Sequence, residues 1–355
     1  MTILNDYIEN GLVLKNNHPT LPISIYNYSR ETQYESKWDY ITLMCRGLVL
    51  DNEGNVIAKA FNKFFNLEEH KPEEIPNEPF EVYEKLDGSL GILFHYNGEW
   101  VLATKGSFTS DQSVRGLEML KKYDYERLIS GFTYLFEIIY DENRIVCQYN
   151  YEDLILLSVF DNSDGSEINI HKDILPNNNR VKNVCQNIGF NFVKKYDGIR
   201  DFSELKSKIS NDAEGYVIRF ENGFRMKIKG EEYVRLHKIL TSFSNVDIWE
   251  YLKDGKPLNN LLHRVPDEFD LWVKNTVQKI EDEYQTLEKE YKWIFKVLMR
   301  SPDSETKKGF AELAKRYKHP SILFKMFDGK DYSDYIWKQI RPVYSRPFWQ
   351  KELDT

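Results

Sequence analysis

The sequence predicts an α+β fold: a β-rich part of antiparallel sheets with flanking helices, followed by an all-α C-terminal part. Three observations predict it. Up to about Phe220, short apolar or alternating runs are separated by turn signals. After about Tyr233 those runs stop. From Asp267 to Arg300, Val273, Val277, Ile280, Tyr284, Leu287, Tyr291, Ile294 and Leu298 recur at spacings of four and three, which is one face of a long helix. The boundary is drawn near residue 238, giving segments 1–238 and 239–355.

In chain order, strands are expected in "CRGLVLD" (Cys45 to Asp51), "EGNVIAKAF" (Glu53 to Phe61), "PFEVYEK" (Pro79 to Lys85), "LGILFHY" (Leu90 to Tyr96) and "EWVLATKG" (Glu99 to Gly106). Asn97-Gly98 joins the last two as a hairpin, because both residues tolerate the positive φ that a tight turn needs. Ser110 caps a helix through Lys122. The runs "YLFEIIY", "LILLSVF", "EGYVIRF" and "FRMKIKG" extend the β-rich part, while Asn177 to Asn179 reads as a loop and Asp201 or Ser203 starts a helix through Ile209. Further on, Asn245 caps the helix of "VDIWEYLKDG". The seam from Val273 to Leu298 is heptad-like and could pair two chains, but Phe310, Leu313 and Tyr317 before His319-Pro320 supply an amphipathic neighbour within the same chain. The expectation is one long helix packed in a small helical domain of a monomer.

The chain has 355 residues, 29% charged, 41% hydrophobic and 14% aromatic, as an ordinary globular protein does. A formal net charge of -8 argues against general coating of nucleic acid and leaves room for a local basic cleft, since fields follow the distribution of charge. Cys45, Cys147 and Cys185 are too few and too far apart for a disulfide framework or a zinc cluster. The N-terminus lacks the apolar core of a secretory signal, and no apolar run reaches membrane-spanning length. A cytoplasmic protein without a membrane partner is expected.

Charges inside apolar strands carry the chemistry. Glu137 lies within "LFEIIY" and Glu214 opens "EGYVIRF", where a carboxylate is costly without a partner. Lys227 and Lys229 are two apart, so on a strand they share a face. With Lys85, which ends a strand before the turn Asp87-Gly88-Ser89, they make three cations and two carboxylates, a set suited to a polyphosphate and its metal. Nucleophilic use of a lysine needs its pKa of ~10.4 lowered by about 3 units, or ~4 kcal/mol. A unit charge ~6 Å away contributes about 3 kcal/mol at an effective dielectric of ~20. Neighbouring cations are therefore expected to depress Lys85.

At these residues the sequence resembles a known superfamily. Lys85-Leu86-Asp87-Gly88 is similar to the K-x-D-G motif of the covalent nucleotidyltransferases, and "FEIIY", "EGYVIRF" and "MKIKG" resemble its later motifs in the same order. More narrowly, "CRGLVLD", "NKFFNL" (Asn62 to Leu67), "EKLDGSL" (Glu84 to Leu90), "TKGS" (Thr104 to Ser107), "NRIV" (Asn143 to Val146) and "YVRLH" (Tyr233 to His237) resemble the bacteriophage T4 RNA ligase 1 family. The resemblance covers the first two thirds of the chain. It implies a nucleotidyltransferase fold of ATP-grasp-like ligase type in segment 1–238, and an appended helical domain in 239–355 that serves RNA or tRNA specificity.

What the resemblance implies for chemistry is an ATP-dependent RNA ligase using Mg2+ or Mn2+. Lys85 attacks the α-phosphate of ATP, AMP passes to an RNA 5′-phosphate, and a 3′-hydroxyl displaces it. Carried over by position, Lys85, Glu214, Lys227 and Lys229 are catalytic, with Lys227 and Lys229 on the α-phosphate. Arg46 and Lys63 lie near the β- and γ-phosphates or the RNA phosphate, Phe65 or Phe136 packs near the nucleotide, and Glu137 meets the ribose hydroxyls. Glu84, Asp87, Gly88, Lys105, Gly215 and Tyr233 complete the nucleotide site. Glu214 and Glu137 are the metal candidates.

Taken singly, Arg46 and Lys63 read as a strand-end and a snorkelling charge, and Phe64, Phe65 and Phe136 as core. His18-Pro19-Thr20 and His319-Pro320-Ser321 match a two-histidine phosphodiesterase signature, but nearly the whole chain separates them. No P-loop kinase motif is present, so end-healing kinase and phosphatase steps are expected elsewhere. DNA ligase and capping guanylyltransferase are the nearest rivals, and a silent RNA-binding module is the other class. Helical text after Lys229, where those rivals continue with a β-barrel, favours RNA ligation in tRNA or other RNA repair, in a bacterial cell or a phage-infected host.

Overall fold

In the computed structural model, the structure describes residues 2–171, 176–258, 262, 265 and 267–345. The chain divides into two units, Met1–Val234 and Arg235–Asp354. The first opens with helix α1 (Thr2–Glu9) and strands β1 (Val13–Asn17) and β2 (Ile23–Tyr28), followed by α2 (Arg30–Tyr34), α3 (Tyr40–Met44), β3 (Arg46–Asp51) and β4 (Val56–Ala58). These four strands form one antiparallel sheet in chain order.

Two larger sheets hold the remaining strands. After β5 (Phe65–Asn66) come β6 (Phe80–Lys85), β7 (Ser89–Tyr96), β8 (Glu99–Ala103), α4 (Asp111–Leu120), β9 (Phe132–Ile139), β10 (Asp153–Asp161) and β11 (Glu167–Ile168). Then follow α5 (Pro176–Ile188), β12 (Asn191–Phe192), β13 (Lys195–Tyr196), α6 (Leu205–Lys208), β14 (Gly215–Phe220), β15 (Arg225–Lys229) and α7 (Glu231–Ser242). One sheet runs β11-β10-β9-β7-β8, with β12 parallel on β10; the other runs β13-β6-β14-β15-β5.

The register of that second sheet places the chemistry. Lys85, Gly215 and Lys229 are directly opposed across β6, β14 and β15; so are Tyr83, Val217 and Lys227, and then Glu81, Arg219 and Arg225. Opposed residues share a face, so all nine lie on one side of the sheet. Val82, Ile218, Phe220, Met226 and Ile228 alternate to the other side and form a buried core there. The pleat thus separates a charged face from an apolar one.

The second unit is helical: α8 (Asn245–Lys253), α9 (Asp267–Leu298), α10 (Lys307–Ala314), α11 (Pro320–Phe327) and α12 (Ser333–Gln339). The seam expected on α9 is used within the chain. Tyr291, Ile294 and Leu298 are buried against Phe310, Ile322, Leu323 and Ile336, with Tyr284 and Leu287 packed alongside. Each such side chain is worth about 1.5–3 kcal/mol on burial.

Local details both follow and depart from the sequence reading. Asn97 and Gly98 adopt positive φ between β7 and β8, and Ser110 caps α4 by accepting the Ser113 N–H. The cap of α8 is Ser244 rather than Asn245, because Ser244 and Asp247 form a reciprocal capping box and Asn245 becomes the first helical residue. Asp201 turns the chain by accepting the Ser203 N–H, which delays α6 to Leu205. Asn177 to Asn179, expected as a loop, are instead the first turn of α5, which starts at Pro176 as prolines favour. Among the described residues no helix is long and apolar enough to cross a membrane, and Cys45, Cys147 and Cys185 are buried free thiols.

Candidate active site

The turn after Lys85 is fixed from beneath. Asp87 is buried; its Oδ2 accepts the backbone N–H groups of Val146 (2.9 Å) and Cys147 (2.8 Å), and its Oδ1 accepts the Tyr233 hydroxyl at 2.7 Å. The Asp87 N–H donates to Tyr149, and Ser89 Oγ donates to Asn143 Oδ1 at 3.0 Å. Asn143 and Val146 belong to "NRIV", so that segment acts as a strap for the turn. Gly88 donates its N–H to Glu137 Oε1 at 3.0 Å, and a Cβ there would sit 2.6 Å from the Ile138 carbonyl oxygen. No side chain fits at that position.

Lys85 emerges from this turn onto Glu214. Lys85 Nζ lies 2.8 Å from Glu214 Oε2, and Lys229 Nζ lies 2.8 Å from Oε1. The Glu214 side chain is 3% exposed, against 22% and 24% for the two lysines. One carboxylate therefore joins two cations with its own solvent shell removed. Gly215 makes the approach possible. It has φ +147, and a Cβ would lie 1.9 Å from the Ile228 carbonyl oxygen, so only glycine lets β14 cross between Lys85 and Lys229.

The electrostatics differ from the sequence expectation. Burial pushes the Lys85 pKa down, but Glu214, Glu137 and Asp87 outweigh it and hold Lys85 above its ordinary value. Burial likewise opposes ionisation of Glu214, yet Lys85 and Lys229 keep it below the usual carboxylate range. The depression expected at Lys85 falls on Lys227, which burial and the charges of Lys63, Lys85, Lys229 and Arg46 lower to about 7. The reason is geometric: a carboxylate stands between Lys85 and Lys229, and among the described residues none pairs with Lys227. Glu137 is pushed up to about 7 by burial and by Glu214 and Asp87, against the pull of Lys85 and the Gly88 N–H.

A second group of cations adjoins. Burial and the charges of Arg46 and Lys63 lower Lys105 to about 8, and burial and Arg46 lower Lys63 as well. Lys63 Nζ lies 5.9, 5.5 and 5.1 Å from the ring centres of Tyr28, Trp38 and Phe65, and Lys105 Nζ lies 5.0 Å from Tyr28. Arg46 and Lys227 each face Phe64 at 5.9 Å. Among the described residues Arg46, Lys63, Lys105 and Lys227 make no ion pair with a carboxylate. Aromatic faces stand beside these groups in place of carboxylates, and an arriving anion would hold all four in the charged form.

A cavity of about 220 Å³ leads away from Lys85, Gly88 and Glu137. Arg46 and Glu84 also line it, so five of the residues taken from the sequence meet there. Glu214, Gly215, Lys227 and Lys229 adjoin it through the sheet register. Phe65 does not line it; it packs edge-on against Trp38 and His70. Phe136 is a fully buried core residue against Phe190, because alternation along β9 turns it away from the face that carries Glu137. Phe61 and Phe64 line the cavity instead. Asp87 and Tyr233 act under the turn.

The far end of the cavity holds residues the sequence reading missed: Tyr83, Glu167, His171, Arg219 and Arg225. Glu167 pairs with both Arg219 (3.0 Å) and Arg225, and its carboxyl is held low by those charges against the cost of burial. The signal was present. Alternation puts Arg225 on the same face as Lys227 and Lys229, and Arg219 on that of Gly215.

The donors fit a hydrated divalent ion rather than a closed protein cage. Among the described residues no three His, Cys, Asp or Glu side chains group as a metal site. Glu137, buried and crowded by other carboxylates, is a group that an added cation relieves, with Glu214 beside it. Mg2+ ordinarily takes one or two carboxylates and fills its remaining positions with water and phosphate oxygens.

Known proteins resemble this chain over most of its length. The chain is 27% identical over 307 residues to a candidate RNA ligase of Thermovibrio ammonificans, covering 79% of this chain and 77% of the relative. It is 25% identical over 374 residues to an RNA ligase of Rhodothermus phage RM378, covering 81% and 82%. An archaeal ATP-dependent RNA ligase of solved structure overlaps 78% of this chain and 75% of its own, at 16% identity and a TM-score of 0.47. The family model of the T4 RNA ligase 1 type, described as RNA ligase, matches residues 44–233, more than half of the chain. The chain belongs to the T4 RNA ligase 1 family of RNA ligases.

Proposed function

We propose that this chain is an ATP-dependent ligase that seals RNA 5′-phosphate to RNA 3′-hydroxyl ends through a lysyl-AMP intermediate. The observation that carries the reading is the Lys85–Glu214–Lys229 arrangement beside a cavity that Lys85 lines, flanked by Arg46, Lys63, Lys105 and Lys227, which among the described residues lack carboxylate partners. Lys85 first gives up one ammonium proton to solvent, and the freed Nζ lone pair attacks the α-phosphorus of ATP. The bond from that phosphorus to the bridging oxygen of the β-phosphate breaks, pyrophosphate leaves with the electron pair, and a second Nζ proton passes to solvent to leave the phosphoramidate. An RNA 5′-phosphate oxygen then displaces Lys85. Finally the 3′-hydroxyl of a second end attacks the activated phosphorus and releases AMP.

In this reading Lys229 and Lys227 face the α-phosphate. Arg46, Lys63 and Lys105 take the β- and γ-phosphates or, later, the RNA phosphate. Lys227 and Lys105, with pKa values of about 7 and about 8, gain protons as the polyphosphate arrives. Glu137 meets the ribose side and, with Glu214, would hold Mg2+ or Mn2+, which would screen charge on the α-phosphate. The second unit is assigned RNA recognition, and repair of tRNA or another structured RNA is the proposed setting, with end-healing enzymes acting separately. Incubation with 5′-phosphorylated RNA, ATP and Mg2+ is expected to give exonuclease-resistant circles. Circles from DNA but not RNA would overturn the substrate assignment.

A further inference from the structure

The face of α9 opposite its buried seam has an unusual composition. Tyr291, Ile294 and Leu298 are buried, whereas Lys289, Lys292, Trp293, Lys296 and Arg300 are exposed. Spacings of four, three and four put Lys289, Trp293, Lys296 and Arg300 in a single stripe about 17 Å long, reaching just past the helix end. Lys292 pairs with Glu288 at 3.0 Å, while among the described residues Lys289, Lys296 and Arg300 make no ion pair. Trp293 is 65% exposed in the middle of the stripe.

We propose that this stripe is a docking surface for the RNA strand, with Trp293 stacking on a base and the flanking cations meeting phosphates. This rests on the RNA-ligase reading. A plain solvated face explains the lysines and leaves the tryptophan unexplained. A protein seat explains the tryptophan, but lysine is depleted from the centres of protein interfaces. An aromatic face between cations one helical turn away on either side is how single-stranded nucleic acid is held without sequence preference. The net charge of -8 means attraction to RNA must come from a local patch, each cation meeting a phosphate at close range.

The test is fluorescence anisotropy of a labelled single-stranded oligoribonucleotide with the full chain, over a range of KCl concentrations. Trp293→Ala is expected to weaken binding about tenfold, and Trp293→Phe to restore most of it. Changing Lys289, Lys296 and Arg300 together to Gln is expected to flatten the slope of log affinity against log salt by about 2. Covalent labelling by ATP is expected to stay at the parental level in all variants. Unchanged affinity and slope would overturn the proposal. So would a shift of the RNA-free protein from a self-assembled form to monomer in the variants, since the stripe would then seat a second copy. If the parent takes no label from ATP, the ligase reading fails separately, and the anisotropy still decides the stripe.

Discussion

Glu214 sets the charge state of the site, because two lysines reach it at 2.8 Å and water does not. In this state Lys85 is held as an ammonium, which under the proposed reaction must lose a proton before it attacks. Glu137 carries the opposite tension. Its folded-state pKa of about 7 lies above the ordinary 4.5, so its contribution to stability is fully present below pH 4.5 and is lost as pH rises through 7. The resulting loss is at most about 3 kcal/mol for a shift of this size. Glu137→Gln is therefore expected to remove this fall: in urea unfolding of the nucleotide-free protein, the variant gains on the parent between pH 5 and pH 8. Parallel pH profiles for the two proteins would contradict the assignment. Labelling by ATP in the same variant is expected to fall.

At the scale of elements, the crossing of β6, β14 and β15 is what brings the charges together. Gly215 is the pivot, with φ +147 and a neighbouring carbonyl 1.9 Å from any added Cβ. Gly215→Ala is expected to cost about 3 kcal/mol in unfolding free energy, through strain and forced separation of the strands, and to abolish labelling. Gly98→Ala is the matched control: its φ is also positive, but nothing lies within 4 Å, so a cost near 1 kcal/mol with normal labelling is expected. Equal costs would refute the crossing argument. The strands themselves were legible, since "FRMKIKG" alternates charged with apolar residues and "EGYVIRF" is a β-branched and aromatic run bounded by turn signals. Which lysine would be depressed was not legible. That depended on Glu214 lying between Lys85 and Lys229, a fact of pairing across three strands distant in sequence. Phe136 is core, as the residue taken singly implied, and not beside the nucleotide, as the resemblance implied: a motif names neighbours in sequence, whereas the pleat sends Phe136 and Glu137 to opposite faces. The start of α8 was read one residue late although its signal was in the sequence: Asp247 stands three residues after Ser244, the capping-box spacing, and only two after Asn245.

At the scale of the molecule, the two units carry different chemistry. The residues of the proposed nucleotide site, the turn strap and the cavity all fall within Met1–Val234. The exposed basic and aromatic stripe belongs to Arg235–Asp354. A chain ending at Ser242 is expected to retain covalent labelling and to lose most of its RNA sealing, measured as circle formation at limiting RNA. Equal loss of both activities would contradict this division. The long seam of α9 was legible as a helix from spacing alone, and its intramolecular use followed from the amphipathic segments after it. The exposed stripe was less so, because lysine every third or fourth residue is ordinary on a solvated helix until the tryptophan among them is seen to be uncovered.

The central claim is that Lys85 becomes the covalent carrier of AMP. The most direct measurement is incubation of the full chain with α-labelled ATP and Mg2+, followed by peptide mapping by mass spectrometry. The account predicts a single AMP adduct on Lys85, absent in Lys85→Ala and released by added pyrophosphate. Adduct formation from GTP alone, or on any residue other than Lys85, would contradict it.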